Sequence, residues 1–422
     1  MSLKNRLDLA VDPVFLMDGS AFIYRGFFAN RNMQRSDGFP TNALVVVTRV
    51  LLRILREERP QYFLFVKDGR GKNFRHDIYP LYKANRDATP EDLIRQMEPI
   101  ERMVTALGMS LEVSDGCEAD DCIASLAARL SKERPVVIVS GDKDLKQCLG
   151  PNIFMWDPAF KEEKLLTSDQ FTQESGLTPA QWADVQALVG DTSDNIPGVP
   201  GIGPKTASGL LVGVGGGLVD LYEKLDIVPT LPIRGAKNLP AKLEEHREMA
   251  FLSYQLATIK IDVPLDIGLE DLHLKAPDCE KLIALYTELE FKSWIAEVER
   301  EAKRAGQVIA QEAPVESADT EVQYETILDQ ARFDVWLKKL QDAKLIAFDT
   351  ETTGLDAQQA QLVGLSFAVK PGEAAYIPLT HSYMGVPEQL DRDTVLRALK
   401  PLLEDPSKAK VGQHAKFDMN IL

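Results

Sequence analysis

Nine acidic side chains in this chain have the type and spacing to do chemistry. Asp18, Glu118, Asp120, Asp121, Asp142, Asp144, Asp191 and Asp194 lie in four short phrases, Leu16-Met-Asp-Gly-Ser20, Cys117-Glu-Ala-Asp-Asp121, Ser140-Gly-Asp-Lys-Asp144 and Gly190-Asp-Thr-Ser-Asp194, and Asp68 follows an apolar run of its own. Carboxylates crowded together repel one another until some are forced to protonate. Divalent cations remove that conflict. Hard oxygen ligands suit Mg²⁺ or Mn²⁺, and two such ions about 4 Å apart can clamp the attacking and leaving oxygens of a phosphodiester displacement. One acid after one strand reads as a cap or as solvated surface; nine at strand ends and turns read as a two-metal hydrolytic site. Glu118 and Asp121, three apart, are expected to share a face of a helix beginning near residue 118, with Asp120 off that face unless the helix begins a residue later.

Two further features suit a polyanionic substrate. Residues 67–86 hold six bases (Lys67, Arg70, Lys72, Arg75, Lys83 and Arg86) against Asp68 and Asp77, a local charge of +4 in a chain whose formal charge is −16. Phe74, Tyr79 and Tyr82 interleave stacking surfaces with those bases, the pattern of a phosphate-tracking patch for unpaired nucleic acid. Gly198-Val-Pro-Gly-Ile-Gly-Pro-Lys-Thr-Ala207 reads as a tight glycine turn opening a helix, whose free N–H groups can hold a phosphate oxygen. It lacks the spacing of a P-loop. Gly213–Gly217 fits no dinucleotide fingerprint and reads as a loop.

The elements that must position these groups are legible as an alternation of short apolar runs with helical patterns, expected of an α/β domain with a mainly parallel sheet. Candidate strands are Val14–Met17, Tyr62–Val66 and Val136–Val139, each followed by one or more of the acids, so the acids should meet beyond the carboxyl ends of the strands. The stretch Ala43–Leu55 carries Arg49 and Arg53 at helical spacing and reads as amphipathic rather than membrane-spanning. No apolar run reaches 18 residues, no signal peptide is visible, and four cysteines without a CxxC pair imply reduced thiols and a cytoplasmic setting. With 422 residues, 45% hydrophobic and 27% charged, the chain should form two or three globular domains. Composition turns to Ala, Gln, Glu and Pro across 298–322, a linker between residues 13–297 and 323–422. The second unit opens with a strand at Lys344–Phe348 and continues with another at Leu362–Val369; its pattern is still running at Leu422 and reads as unfinished.

The acidic phrases, in this order, together with Phe74-Arg-His-Asp-Ile-Tyr-Pro-Leu-Tyr-Lys-Ala-Asn-Arg86, Ile233-Arg-Gly-Ala-Lys237 and Leu252-Ser-Tyr-Gln-Leu-Ala-Thr-Ile-Lys260, resemble the flap-endonuclease family, in particular the 5′-nuclease domains of bacterial DNA polymerases of type I. The resemblance covers about residues 13–297. It implies a PIN-like α/β fold, a mainly parallel twisted sheet flanked by helices, with a helical arch at about 70–100 and a helix–three-turn–helix at about 190–212. It implies Asp18, Asp68, Glu118 and Asp120 at a first metal and Asp142, Asp144 and Asp191 at a second, with Asp121 and Asp194 acting through water. Lys83, Arg86 and Arg25 match positions at the scissile phosphate. Arg70, Lys72, Arg75 and Tyr82 would contact DNA from the arch, and Gly201, Gly203, Lys205 and Thr206 from the hairpin, with K⁺ as a further ion there. Lys67 departs from the family, which has an apolar residue before the aspartate.

Asp349 and Glu351 in Ala347-Phe-Asp-Thr-Glu-Thr-Thr-Gly354, and Asp418, resemble the first two motifs of the 3′→5′ exonucleases that follow such domains, implying the start of an RNase-H-like α/β domain with an incomplete site. The expectation is therefore a monomeric 5′→3′ exonuclease and 5′-flap endonuclease without polymerase or proofreading activity. Its partners would be DNA with 5′ flaps, nicks or 5′ ends and RNA primers on DNA, and no membrane. A DNA-structure-binding module without catalysis and a metal-dependent RNase are the alternatives.

Overall fold

The computed structural model describes residues 2–29, 33–69, 71–158, 163–304, 323–354, 359–382, 386–413 and 415–422. The chain forms two units, Met1–Ala310 and Gln311–Leu422.

In the first unit six strands, β1 (Val14–Asp18), β2 (Tyr62–Asp68), β3 (Ser110–Ser114), β4 (Val136–Val139), β5 (Ile153–Asp157) and β6 (Lys164–Leu166), form one sheet in the order β3-β2-β1-β4-β5-β6. The first five run parallel and β6 is antiparallel to β5. Both faces of the sheet are covered, so its central strands are apolar without interruption. Along β1, Val14 and Leu16 enter one core and Phe15 and Met17 the other, as the two-residue period of a strand requires. The chain builds outward from β1 through β2 to β3 and then crosses back to β4, so the strand order reverses between β1 and β4. A crevice opens at such a switch point, beyond the strands' carboxyl ends.

The longer helices of this unit include α1 (Gly19–Ala29), α2 (Asn42–Glu57), α3 (Glu91–Ala106), α4 (Ala119–Leu130), α5 (Trp182–Val189), α6 (Pro204–Val214), α7 (Arg247–Ala257) and α8 (Lys292–Arg304), of which α1 and α4 line the crevice. The amphipathic stretch expected at Ala43–Leu55 is α2, with Leu44, Val47, Leu51 and Ile54 buried. β1 and β2 each run one or two residues further than their apolar runs, so Asp18 and Asp68 are the last residues of strands rather than the first of loops. α8 extends into the stretch expected to be linker from residue 298: Val298 and Ala302 are buried in the core with Tyr286 and Leu285, which continues the helix to Arg304. The rest of that stretch, 305–322, lies outside the described residues.

The second unit is a five-stranded mixed sheet of β7 (Gln323–Thr326), β8 (Leu345–Thr352), β9 (Leu362–Lys370), β10 (Glu373–Pro378) and β11 (Ala409–Val411), in the order β11-β8-β9-β10-β7. α9 (Gln330–Asp342), α10 (Arg392–Leu403) and α11 (Ala415–Ile421) accompany it. Phe333, Trp336, Phe348, Phe367 and Leu399 form its own core.

Candidate active site

Eight carboxylates meet in one cleft at the carboxyl edge of the first sheet: Asp18, Asp68, Glu118, Asp120, Asp142, Asp144, Asp191 and Asp194. The cleft measures about 230 Å³, and the bases that line it are Lys83, Arg86 and Lys143. Each acid is held by the local structure that delivers it. Asp18 ends β1 and accepts from the N–H of Ala21 at the start of α1 (3.0 Å) and from the hydroxyl of Ser140 after β4 (2.8 Å), so the two sides of the switch point are stitched together. Asp68 ends β2, and its carboxylate accepts from the N–H of Ala119 (2.9 Å). Asp142 accepts from the N–H of Asp144 (2.9 Å), and Gln186 on α5 donates to Asp144 (2.6 Å). Asp191 and Asp194 sit on the turn after α5, which is closed by paired backbone hydrogen bonds between Asp191 and Ile196.

Crowding in this cleft shifts protonation. Burial, and next to it the charges of Asp68 and Asp142, raise the Asp18 carboxyl to about 7. Burial and Asp142 likewise raise Asp144 to about 7. Asp120 is raised well above the usual range by burial and by the charges of Asp18 and Asp142. Asp191 goes the other way: burial pushes it up, but Lys143 and Ser193 outweigh burial and lower it. Lys143 places its ammonium 2.6 Å from Asp191 Oδ2. Lys83 sits on Glu118, and Arg86 on Asp194. Among the described residues no three acids, histidines or cysteines close round one point as a ready-made metal cage. The donor set nonetheless fits divalent cations: it is all hard oxygen, it outnumbers its bases eight to three, and it contains acids that cannot ionise together without added positive charge.

Several expected residues go elsewhere. Asp121 is fully buried and forms a bidentate pair with Arg75, with N···O distances of 2.7 and 2.8 Å. It also accepts from the N–H groups of Glu118 and Lys260. α4 begins at Ala119, a residue later than 118, with Glu118 as its extended N-cap, and this later start brings Asp120 into the cleft beside Glu118. Glu118 and Asp121 remain close, since Nη1 of Arg75 lies 3.5 Å from Glu118 and 2.7 Å from Asp121. Arg75, only 2% exposed, also donates to the carbonyls of Leu256 and Thr258, so it is a structural tie between the basic segment and the body rather than a surface contact. Tyr82 is buried as well. Its hydroxyl donates to Glu118 (3.1 Å) or Asp194 (3.0 Å), so it links two cleft acids and offers no free ring for stacking. Arg25 pairs with Asp157 at the end of β5 and does not line the cleft. Lys72 is exposed, and Arg70 lies outside the described residues.

The glycine turn joins α5 to α6. Gly198 and Gly201 have φ of +63° and +73°, which only glycine adopts readily, and Gly203 caps α6. Gly201, Gly203 and Lys205 are exposed and Thr206 half-buried. A side chain on Gly201 would meet the ammonium of Lys242, a base brought to the hairpin from a distant helix that no local pattern marks. Gln186, Lys143 and Ser140 were also missed as site residues; the last two lie inside a phrase singled out for its acids.

In the second unit Asp349 and Glu351 are exposed on one face of β8. Asp418 is buried and accepts from the N–H and hydroxyl of Thr350 (3.2 and 2.5 Å), whose side chain lies on the other face, so the structure does not bring the three acids together.

Residues 13–176 match the family described as 5′-3′ exonuclease, N-terminal resolvase-like domain, residues 177–280 match 5′-3′ exonuclease, C-terminal SAM fold, and residues 324–422 match 3′-5′ exonuclease. A 5′-3′ exonuclease of Buchnera aphidicola is 37% identical over 272 residues, covering 64% of this chain and 94% of the relative. The DNA polymerase I of Pseudomonas aeruginosa is 55% identical over 411 residues, which is 97% of this chain and 44% of the polymerase. Among solved structures, the catalytic core of Rad2 in complex with DNA substrate superposes with a TM-score of 0.50 at 17% identity, covering 70% of this chain and 93% of that one, a likeness of fold. The chain belongs to the 5′-3′ exonuclease family, and its first unit is a phosphodiester-hydrolysing nuclease domain of the kind found in DNA polymerase I. It spans about half the length of the DNA polymerases I that it matches. Among the described residues, no helix is long and apolar enough to cross a membrane.

Proposed function

We propose that the first unit is a metal-dependent, structure-specific nuclease that cuts DNA at 5′ flaps, nicks and 5′ ends, including RNA primers paired to DNA. The observation that supports this best is the convergence of eight carboxylates from strand ends and turns on one cleft, with Lys83 and Arg86 on its rim. Asp18, Asp68, Glu118 and Asp120 would hold one Mg²⁺ or Mn²⁺ ion and Asp142, Asp144 and Asp191 a second, with Asp194 acting through water. Such ions supply a water acidic enough to attack at neutral pH and charge to stabilise the leaving oxygen.

The chain's own residues do the rest. Lys83, with φ of +55°, is held in place by its N–H donating to the Asp194 carbonyl (2.9 Å), and Glu118 and Asp194 keep its ammonium charged against the cost of burial. Lys83 and Arg86 then meet the charge that develops on the phosphoryl oxygens. The amides of Gly201 and Gly203, with Lys205 and Lys242, grip the duplex backbone without reading bases. The basic segment, tied down by Arg75, forms the entrance for the unpaired 5′ strand, with Lys72 exposed to its phosphates. K⁺ at the hairpin carbonyls, a monomeric state and a cytoplasmic setting complete the proposal.

A 5′-labelled flap substrate incubated with Mg²⁺ or with EDTA tests it. Mg²⁺-dependent products ending at the flap junction are expected. Tight flap binding with no cleavage under any divalent ion would instead leave a binding module.

A further inference from the structure

Lys143 lies between Asp142 and Asp144 in the loop after β4 and lines the same cleft as Lys83 and Arg86. It carries the ion pair that joins this loop to the turn bearing Asp191. The two oxygens of Asp191 are used differently. Oδ1 accepts from both the N–H (2.8 Å) and the hydroxyl (2.5 Å) of Ser193 and is saturated within its own turn. Oδ2 meets the ammonium of Lys143 at 2.6 Å, the oxygen Asp191 has left to offer a cation. Asp191 is buried whereas the Lys143 side chain is 52% exposed, so the carboxylate is fixed and the lysine is free to swing.

We propose that Lys143 is an exchangeable cation of the reaction centre. It neutralises Asp191 in the metal-free protein, gives up Oδ2 when that oxygen is committed to a divalent ion, and turns its ammonium to a non-bridging oxygen of the scissile phosphate. The phosphate would then be met by three cations that line one cleft, Lys83, Arg86 and Lys143. Lysine suits such a shuttle: it is a compact charge on a flexible stem, whereas arginine's planar fork favours a fixed bidentate partner. A proton need not move at any point, because a half-exposed lysine is charged at neutral pH with either anion as its partner.

The proposal rests on the nuclease function above and predicts two effects of opposite sign. In Lys143→Met, Mn²⁺ binding measured calorimetrically without DNA should tighten by about two- to fivefold, because a competing cation has gone. Cleavage of a flap substrate at saturating Mg²⁺ should fall by about 10- to 100-fold in kcat/KM, the loss of one charged hydrogen bond to the phosphate. Lys143→Arg should recover part of the cleavage. A Met variant that binds Mn²⁺ more weakly and also cleaves poorly would make Lys143 a structural tether and overturn the exchange. Unchanged cleavage would overturn the phosphate contact. Were the wild type not to cleave at all, the nuclease function would fall, while the Mn²⁺ affinities would still decide whether Lys143 competes for Asp191.

Discussion

Arg75→Met should unfold the first unit early while leaving DNA affinity intact. The guanidinium makes four hydrogen bonds, two to Asp121 at 2.7 and 2.8 Å and one each to the carbonyls of Leu256 (2.9 Å) and Thr258 (3.1 Å), and it is 2% exposed. Methionine fills much of the space but leaves Asp121, with no exposed surface, as a buried carboxylate without its cation. Breaking a buried pair in this way costs about 3–5 kcal/mol. Asp121 keeps the N–H groups of Glu118 (3.0 Å) and Lys260 (2.9 Å), which places the expected loss near the lower end, at about 3–4 kcal/mol. For a unit of this size the unfolding entropy is roughly 0.6 kcal/mol per degree, so Tm should drop by about 5–7 °C. Thermal melting by circular dichroism reads the shift, and fluorescence anisotropy with a labelled flap at 20 °C reads the affinity. Adding Asp121→Leu should recover most of the stability, since an apolar pair can replace a buried ion pair at little cost. A Tm within 1 °C of wild type combined with a severalfold loss of flap affinity would refute the assignment and return Arg75 to the DNA-contacting set.

Three further outcomes are expected. Asp142→Ala should lower cleavage by about 100- to 1,000-fold, the loss of several kcal/mol of transition-state stabilisation, yet leave flap affinity within threefold; full activity would remove this acid from the mechanism. Asp18 and Asp144, raised to about 7, are more easily protonated folded than unfolded, so the stability they lend is complete below about pH 4 and is lost as pH rises through 7. Metal-free protein should therefore melt lower at pH 8 than at pH 6, Mg²⁺ should raise Tm more at pH 8, and a metal-free Tm that climbs across that range would contradict the crowding of these acids. Lys205→Ala should weaken duplex binding and reduce the slope of log K against log salt by about one, measured by anisotropy between 50 and 200 mM salt; an unchanged slope would take Lys205 off the phosphate backbone.

The order and spacing of the residues determined a good deal. Apolar runs ending in acids mark strands of a parallel sheet, and a parallel sheet must deliver its strand-end residues to one edge, so the meeting of Asp18, Asp68 and Asp142 is implied by local patterns alone. The hairpin was legible for a similar reason, since Gly198 and Gly201 occupy backbone conformations that other residues resist. What only the tertiary structure decided is which way each polar side chain faces. Asp120 and Asp121 are neighbours of the same type, yet one lines the cleft and the other is buried against Arg75, because consecutive helical residues point about 100° apart and Arg75 packs on only one of those sides. Arg75 and Tyr82 share the composition of a basic, aromatic nucleic-acid patch and are nonetheless interior, for their partners Leu256, Thr258 and Asp194 arrive from more than 100 residues away. Lys242 reaches the hairpin by the same kind of long-range packing. Local sequence sets backbone conformation through sterics and periodicity; the partner of a buried charge is set by whichever distant segment packs against it.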